Sequence, residues 1–373
     1  MTLFKYDISI GSYNCKYYLA NNLLELSQYL LDIESDNFIF IFDNDAFEKI
    51  LLNDTEDIRK VKRCEFIKIK VSESNKNLVL INEIIEQVIS LGVTTSTCLF
   101  AVGGGVLGNI VGLTASLLFR GIKLVYMPTN VLSAIDSSLS AKIAVNSKTQ
   151  KSSIGTYYLP HAIFCSYVFL KTLPISEYRA GLAELVVNIL VTMEDTKRSI
   201  FGATNQFAEG SFEHFRSILE MAIRKKISII KNDPYEKHKG ILLKYGHTIG
   251  NAIEFLSKGN IKHGEGVSYG LLISGEISYQ LGLIDQMFLR FHYEILDEIK
   301  IIKQIKAISN FEFEEVIAFL TDNYGKNSIQ FVLLNNTQHF HNYFVQVHVD
   351  LVKKSIKTVN EKLSKFGVEY ENT

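Results

Sequence analysis

A strand that leads directly into a glycine-rich turn is the feature of this sequence that most constrains its fold. The apolar run Thr97–Val102 predicts a buried strand, and Gly103-Gly104-Gly105-Val-Leu-Gly108-Asn109 follows it without a break. An apolar helical pattern then continues from Val111 to Leu118. A strand, a tight turn and a helix in this order are typical of a parallel sheet flanked by helices, so the first half of the chain is predicted to be α/β.

The glycine turn also suits a phosphate group. Backbone N–H groups and the positive end of the helix dipole meet there, and phosphate oxygens can approach closely because glycine has no Cβ. Gly103, Gly104, Gly105, Gly108 and Asn109 are therefore predicted to hold a pyrophosphate. The spacing is GGGxxG and not the dinucleotide fingerprint GxGxxG, so close packing of the helix is an alternative interpretation of the same glycines.

Three further strand-like runs in the first half end in polar residues. They are Phe38–Phe42 before Asp43, Phe66–Val71 before Glu73 and Lys76, and Ile122–Met127 before Pro128-Thr129-Asn130. The segment between the second and third of these runs, Asn82–Leu91, predicts a helix. An acidic residue at a strand end can bind a ribose hydroxyl, which favours NAD over NADP. Each of these charged residues, taken alone, is more typical of a solvated loop.

The second half of the chain has a different pattern. From Pro174 onward long helical periodicities dominate and strand signals nearly vanish. A chain of 373 residues also exceeds the size at which a single core stops growing. We therefore predict an α/β domain with a mainly parallel sheet at residues 1–173 and an all-helical domain at residues 174–373.

Two histidines begin consecutive predicted helices in the second half. His247 opens the pattern Ile249, Ala252, Ile253, Phe255, with Asn251 one turn further along, and His263 opens the next apolar segment. Two imidazoles and a carboxylate are a common ligand set for zinc. This spacing alone is also compatible with ordinary polar or core histidines.

Composition excludes several classes of protein. The formal net charge is −1, so no basic excess draws the chain to nucleic acid or to anionic lipid. The N-terminus lacks a basic segment followed by an apolar core, and no apolar run reaches the roughly 20 residues of a membrane span. A cytoplasmic location is expected. The four widely spaced cysteines indicate reduced thiols and not a disulfide framework.

Taken together, the motifs over about residues 40 to 285 resemble the dehydroquinate synthase family of sugar-phosphate cyclases. The matching segments are Ser-Glu73-Ser-Asn-Lys76, Ala-Val-Gly103-Gly-Gly-Val-Leu-Gly-Asn109, Phe-Arg120-Gly, Pro128-Thr129, Ala-Ile-Asp136-Ser, Lys142-Ile-Ala-Val-Asn146, Leu-Lys171-Thr172-Leu-Pro174, Arg179-Ala-Gly-Leu-Ala-Glu184-Leu, Asp233-Pro-Tyr-Glu236-Lys-His-Lys-Gly240, Tyr-Gly-His247-Thr-Ile-Gly and His263-Gly-Glu265. The resemblance implies an NAD-binding α/β domain, a helical metal-binding domain, a homodimer and a small sugar phosphate or polyol as substrate.

The resemblance also assigns roles by position. It implies Glu184, His247 and His263 as ligands of one divalent metal, zinc in the first place and cobalt as the alternative. It implies that catalytic or substrate contacts fall on Asp136, Lys142, Lys226, Glu236 and Asn251, and that Arg120 serves the neighbouring subunit's site. The NAD contacts fall on the glycine turn and on Asp43, Glu73, Lys76, Thr129, Asn130, Lys151 and Thr172.

In such enzymes NAD removes a hydride from one hydroxyl carbon, and the resulting ketone acidifies the neighbouring C–H group. Phosphate then leaves by β-elimination, the hydride returns, and an intramolecular aldol step closes a carbocycle. The protein's share is to hold the metal as a Lewis acid, aim the nicotinamide and supply cations for the anionic groups.

The chain departs from the family at positions that usually carry a working polar group. Val187 stands where a lysine is usual, Ser152 for asparagine, Asn251 for histidine and Tyr324 for lysine, and Asn130 replaces a second threonine. Ser152, Asn251 and Tyr324 belong to the implied phosphate pocket, to which Lys244 adds a cation. Each lost charge-assisted hydrogen bond to phosphate costs about 1.5–3 kcal/mol.

Three functions remain open at this point. The first is a phosphate-eliminating cyclase with altered substrate contacts. The second is an NAD- and metal-dependent oxidoreductase or epimerase acting on a polyol or cyclitol. The third is a catalytically silent paralogue that binds NAD, which the intact set Glu184, His247 and His263 argues against, because unused ligands have no packing reason to stay together.

Overall fold

The computed structural model of the chain describes residues 4–10, 13–171, 173–192, 212–258, 260–310, 313–324, 327–335 and 344–365. These residues group into two units. The first takes the residues up to Pro174 and those from Phe212 to Tyr235, and the second takes the remainder. Among the described residues no helix has the length and apolar character needed to span a membrane.

A seven-stranded sheet forms the centre of the first unit, in the order β1-β2-β9-β6-β5-β3-β4. Every neighbouring pair is parallel except β1 and β2, which pair antiparallel at one edge. This confirms the mainly parallel sheet. The strands of the sheet and of a separate β7–β8 hairpin are β1 (Phe4–Ile10), β2 (Tyr13–Ala20), β3 (Asn37–Phe42), β4 (Arg63–Lys68), β5 (Cys98–Gly103), β6 (Lys123–Pro128), β7 (Lys142–Val145), β8 (Ile154–Tyr157) and β9 (Ala162–Ser166).

Helices cover both faces of this sheet, as the strand sequences require. In β3 the side chains of Phe38 and Phe40 enter one core and those of Ile39 and Ile41 enter the other, so the whole strand is apolar. The first unit contains α1 (Ser27–Leu31), α2 (Asp45–Asp54), α3 (Glu56–Val61), α4 (Leu78–Ser90), α5 (Gly105–Leu117), α6 (Val131–Ile135), α7 (Tyr167–Leu170) and α10 (Phe212–Ile230).

The long helix α10 belongs with the first unit although it lies beyond the predicted boundary at Leu173. It packs against β1 and α6. Its residue Lys226 forms an ion pair with Asp136, which directly follows α6. The chain therefore leaves the first unit, returns to it for one helix and leaves again, and a helical periodicity does not indicate such a return.

The second unit is mainly helical, and it also contains a small antiparallel pair of strands that the sequence prediction did not include. That pair is a two-stranded ribbon, β10 (Ser328–Val332) with β11 (Phe344–His348), and it is separate from the seven-stranded sheet. The helices of this unit are α8 (Ile175–Gly181), α9 (Ala183–Thr192), α11 (His247–Leu256), α12 (His263–Gln280), α13 (Gln286–Glu298), α14 (Ile302–Lys306), α15 (Phe313–Tyr324) and α16 (Val349–Lys365).

Candidate active site

Three side chains of the second unit converge on one point. Nε2 of His247 lies 3.2 Å from Oε1 of Glu184, and Nε2 of His263 lies 3.1 Å from the same oxygen. Their three potential ligand atoms lie within 4.8 Å of one another. One carboxylate oxygen and two imidazole nitrogens at this spacing can close on a single divalent ion and leave an open position for another ligand.

Each of the three residues stands at the start of a helix. His247 and His263 are the first residues of α11 and α12, and Glu184 is the second residue of α9. A side chain at a helix start is not enclosed by a preceding turn, so the ligands can point away from the helix bodies towards a shared point. The geometry thus depends on how closely the three helix starts approach one another.

Glycines make that approach possible. Gly246, which immediately precedes α11, and Gly250 on α11 face Gly266 and Gly270 on α12, and backbone touches backbone at the crossing. A Cβ at position 270 would lie 2.0 Å from the carbonyl oxygen of Gly246, and one at position 266 would lie 2.8 Å from that of Gly250. Gly246 also adopts φ +82°, which side chains rarely allow, immediately before His247. These glycines thus bring the helices of the two histidines into contact.

The Glu184 carboxylate and the His263 imidazole favour each other's charged forms. Burial of the Glu184 carboxyl would raise its pKa, but His247 and His263 hold that pKa well below its usual range. Burial would lower the pKa of His263, but hydrogen bonds to Glu184 and Glu254 raise it to about 10. The site therefore holds a cationic charge between carboxylates, which is the position a divalent ion would take.

Both histidines are oriented by a second hydrogen bond. His263 Nδ1 donates to Oε2 of Glu254 at 2.9 Å, and His247 Nδ1 donates to the backbone carbonyl of Tyr245 at 3.2 Å. In each ring Nε2 is thereby left for the shared point, as in metal sites where an outer partner fixes the tautomer. The sequence analysis assigned no role to Glu254, although a carboxylate seven residues after His247 lies on the same face of the helix and signals such a partner.

The first unit gathers the predicted nucleotide residues at the carboxyl ends of adjacent parallel strands. Asp43 directly follows β3, Glu73 and Lys76 follow β4, and Thr129 follows β6. The glycine turn lies between them, at the end of β5 and the start of α5. Burial raises the pKa of Asp43, which a backbone hydrogen bond partly offsets. The C-terminal edge of a parallel sheet is where such folds bind dinucleotides.

Packing accounts for some of the glycines in this turn. A Cβ at Gly104 would lie 2.6 Å from Nδ2 of Asn130, and one at Gly108 would overlap the ring of Tyr126, whose hydroxyl donates to the carbonyl of Gly104. Asn109 lies within α5 and accepts a hydrogen bond from the backbone of Ala144. Gly104 and Gly105 are half-exposed at the helix start, so first-turn N–H groups remain accessible.

Asn146 connects two of the predicted cofactor segments. Its Nδ2 donates to Oε1 of Glu73 at 3.0 Å, and its Oδ1 accepts from the backbone N–H of Ser152 at 2.8 Å. Lys151 Nζ lies 4.0 Å from the same oxygen of Glu73. Ser152 itself has φ 52°, so this hydrogen bond holds a left-handed turn. Asn146 belongs to the segment Lys142-Ile-Ala-Val-Asn146 that resembles the family, but the sequence gives no sign of this contact.

A second ion pair joins two predicted substrate residues of the first unit. Lys226 on α10 donates to Oδ1 of Asp136, and the side chain of Lys226 is 4% exposed against 25% for that of Asp136. A buried lysine is retained only with a partner of opposite charge, so this pair has a defined geometry. Lys142 is the first residue of β7, six residues after Asp136 in the chain, and it is half-buried.

The other predicted residues lie in more exposed or separate places. Arg120 is exposed in a turn after α5, and Lys151 and Ser152 are exposed in the hairpin connection between β7 and β8. Glu236 is half-buried in a loop with φ 51°. In the second unit Lys244 and Asn251 are exposed on either side of His247, whereas Val187 is fully buried. Tyr324 is the last residue of α15 and its side chain lies outside the described part, as does Thr172.

Family comparisons match both units. The family model described as 3-dehydroquinate synthase N-terminal matches residues 66–180, and the one described as 3-dehydroquinate synthase C-terminal matches residues 181–324. A 2-deoxy-scyllo-inosose synthase from Niallia circulans is 33% identical over 288 residues, which span 77% of this chain and 78% of that protein.

Solved structures agree with the sequence comparison. A crystal structure of 2-deoxy-scyllo-inosose synthase complexed with carbaglucose-6-phosphate, NAD+ and Co2+ superimposes with a TM-score of 0.87 at 28% identity and covers 95% of this chain and 99% of that one. A 2-epi-5-epi-valiolone synthase from Streptomyces hygroscopicus with NAD+ and Zn2+ bound gives a TM-score of 0.75 at 19% identity, over 95% and 99% of the two chains, which is a likeness of fold.

Proposed function

Because the chain belongs to the dehydroquinate synthase family of sugar-phosphate cyclases, we propose that it converts a sugar phosphate into a carbocycle with loss of phosphate, using NAD and one divalent metal. The observation that carries the proposal is the convergence of Glu184, His247 and His263 at the starts of three helices. The proposed substrate class is a hexose or heptulose phosphate.

The donor set of the second unit fits a divalent metal. Glu184 supplies an ionised oxygen, and both imidazoles present Nε2 while Nδ1 is held by another partner. Zinc and cobalt both accept this mixture of nitrogen and oxygen ligands. When bound, such an ion supplies Lewis-acid chemistry that makes a substrate hydroxyl more acidic. The protein's own contribution is to fix the number and direction of the ligands.

The sheet edge of the first unit fits NAD. The first-turn N–H groups of α5 would hold the pyrophosphate, with Asp43 and Glu73 towards the adenosine half. Asn146 keeps the Glu73 segment and the Lys151 segment together, so both can contact one cofactor. When bound, NAD supplies reversible removal of a hydride from the substrate.

The ion pair of Lys226 with Asp136 supplies a cation for the substrate. Lys226 Nζ would donate hydrogen bonds to an anionic substrate oxygen, and Asp136 would keep the ammonium group oriented and protonated. We also propose a homodimer in which Arg120 serves the partner's site. Arg120 is exposed, Phe119 beside it is 47% exposed, and both have left-handed backbone angles of 67° and 49°.

The decisive experiment measures two products in one assay. Purified protein with NAD and zinc or cobalt is incubated with a panel of hexose and heptulose phosphates, and inorganic phosphate and NADH are followed together. A cyclase releases phosphate without net NADH, because the hydride returns to the substrate. Accumulation of NADH with unphosphorylated cyclitols, and no phosphate release, would instead establish an oxidoreductase.

Gly104→Val is expected to weaken NAD binding by about tenfold or more. The new side chain would displace Asn130 and cover N–H groups at the start of α5, and loss of even one charge-assisted hydrogen bond, about 1.5–3 kcal/mol, produces a change of this size. Calorimetry with NAD and NADP is the measurement, and NAD should bind more tightly to the natural protein. The control is Gly112→Ala on the same helix, where the atoms nearest to the added methyl group belong to the flexible side chain of Ile143. Equal NAD affinity in both variants would contradict the assignment.

Asn251→His is expected to raise phosphate release by about 10²-fold if the protein is a cyclase. Asparagine cannot exchange a proton near neutral pH, whereas a positioned histidine can, and general acid–base catalysis contributes about 10²–10⁴-fold. Position 251 is exposed, so the ring fits, whereas a lysine at fully buried Val187 would place a charge in the core. Asn251→Gln is the neutral control. A rate unchanged by histidine would remove position 251 from the proton transfer.

A further inference from the structure

A chain of hydrogen bonds runs from His247 into the core of the second unit. His247 Nδ1 donates to the backbone carbonyl of Tyr245 at 3.2 Å. The hydroxyl of Tyr245 lies 2.8 Å from Nε2 of His292 on α13, and Nδ1 of His292 lies 2.8 Å from the backbone carbonyl of Phe288. Since a carbonyl can only accept, Nδ1 of His292 carries a hydrogen and its Nε2 accepts from the tyrosine hydroxyl.

The inner part of this chain is fully enclosed. Tyr245 and His292 are both 0% exposed. Burial lowers the pKa of His292 to about 4, with the hydrogen bond to Phe288 acting in the opposite direction, so the ring is neutral near pH 7 and its Nε2 remains an acceptor. Gly275 on α12 leaves the space for this ring, because a Cβ there would lie 3.1 Å from Cδ2 of His292.

The backbone at the metal ligand needs such an anchor. Tyr245 precedes Gly246, which has a left-handed backbone conformation with φ +82°. Glycine adopts both positive and negative φ readily, so this residue does not by itself fix the direction of the backbone. His247 is the first residue of its helix, so no earlier helical turn fixes its ring. The direction of the Tyr245 carbonyl therefore decides the direction of the imidazole, and the buried Tyr245 side chain decides where that carbonyl stands.

We propose that the Tyr245–His292 pair is a positioning device for metal binding, which fixes the Tyr245 carbonyl and through it the ring of His247. This inference rests on the proposed metal site. It adds Tyr245 and His292 to that site, and His292 lies on α13, 45 residues after His247 in the chain. Neither residue touches the ion, so both are positioning residues. Loss of an outer partner of a metal-bound histidine commonly lowers metal affinity by about 10–100-fold.

The test is a cobalt titration of the full chain, with the dissociation constant and the visible absorption of the bound ion as readouts. Tyr245→Phe keeps the ring and removes only the hydroxyl, and it should raise the cobalt dissociation constant about tenfold and alter the absorption bands. The matched control is Tyr269→Phe. Tyr269 is also 0% exposed, and it donates its hydroxyl to the side-chain oxygen of Asn360 and not to a histidine. Its affinity and spectrum should equal those of the natural protein.

A second pair of variants separates positioning from general destabilisation. His292→Gln keeps an acceptor near the position of Nε2 and should stay within about threefold of natural affinity, whereas His292→Leu should match Tyr245→Phe. Equal affinity in Tyr245→Phe and Tyr269→Phe, or in the leucine and glutamine variants, overturns the inference. Absence of cobalt binding by the natural protein would instead remove the proposed metal site itself.

Discussion

Replacing His263 with alanine is expected to leave the protein folded and without its metal ion. The ring is one of three ligands, so its loss should weaken binding by more than the 10–100-fold that loss of an outer partner commonly costs, about 10³-fold or more. His263 is 27% exposed at its helix start, so its removal opens no large internal cavity. Metal content after dialysis, with far-ultraviolet circular dichroism as the check on folding, is the measurement.

Glu254→Gln is the companion variant for His263. It keeps an acceptor for Nδ1 of the ring and removes only the negative charge, so metal affinity should fall less than in His263→Ala. Stoichiometric metal in dialysed His263→Ala protein would show that the ion is bound elsewhere.

Gly270→Ala is expected to remove the metal ion by a different route, with both histidines still present. A methyl group there would lie 2.0 Å from the carbonyl oxygen of Gly246. The nearest atoms belong to the backbone of Gly246 and Gly250, which cannot move aside as a flexible side chain can. The helices α11 and α12 must separate, which displaces His247 from His263. Overpacking of this kind costs on the order of 3 kcal/mol, so denaturant unfolding should show a clear loss of stability together with the loss of metal.

A graded series tests that explanation. At Gly266 the added methyl group would lie 2.8 Å from the carbonyl oxygen of Gly250, a milder overlap. Gly266→Ala should therefore retain part of both the stability and the metal affinity. The crossing would not control the site if Gly270→Ala bound metal as tightly as the natural protein did.

Local pattern was sufficient to predict three of the buried strands of the sheet. The strands β3, β5 and β6 are apolar on both faces because helices cover both sides of the sheet, and such runs are visible without any structure. The edge strand β1 was not predicted, although Phe4–Ile10 alternates apolar with polar residues, as a strand with one buried face does, and pairs antiparallel with its neighbour. Strand β4 begins and ends three residues before the predicted Phe66–Val71. The prediction ran too far because Ile69 is apolar and buried although it lies beyond the strand end.

In the candidate site, too, some residues could be predicted from local sequence pattern and others could not. His247 and His263 were visible because each opens a helix and little separates them in the chain. Glu184 was reached only through the family resemblance, since it lies 79 residues from His263. The contact of Tyr245 with His292 spans 47 residues and leaves no periodic trace in the sequence. A contact of that kind is decided by how helices pack and not by any local pattern.

The convergence of three helix starts on Glu184, His247 and His263 has an electrostatic result of its own. The N-terminal end of a helix carries roughly half an elementary charge of positive sign, so α9, α11 and α12 together bring roughly 1.5 positive charges to one point. This field opposes the binding of a cation, which the carboxylate must overcome, and favours negative charge developing on a substrate oxygen. Because the field belongs to the backbone, it acts alike whichever divalent ion is present. We therefore expect the site to tolerate exchange between zinc and cobalt, with the protein supplying a constant share of the electrophilic character.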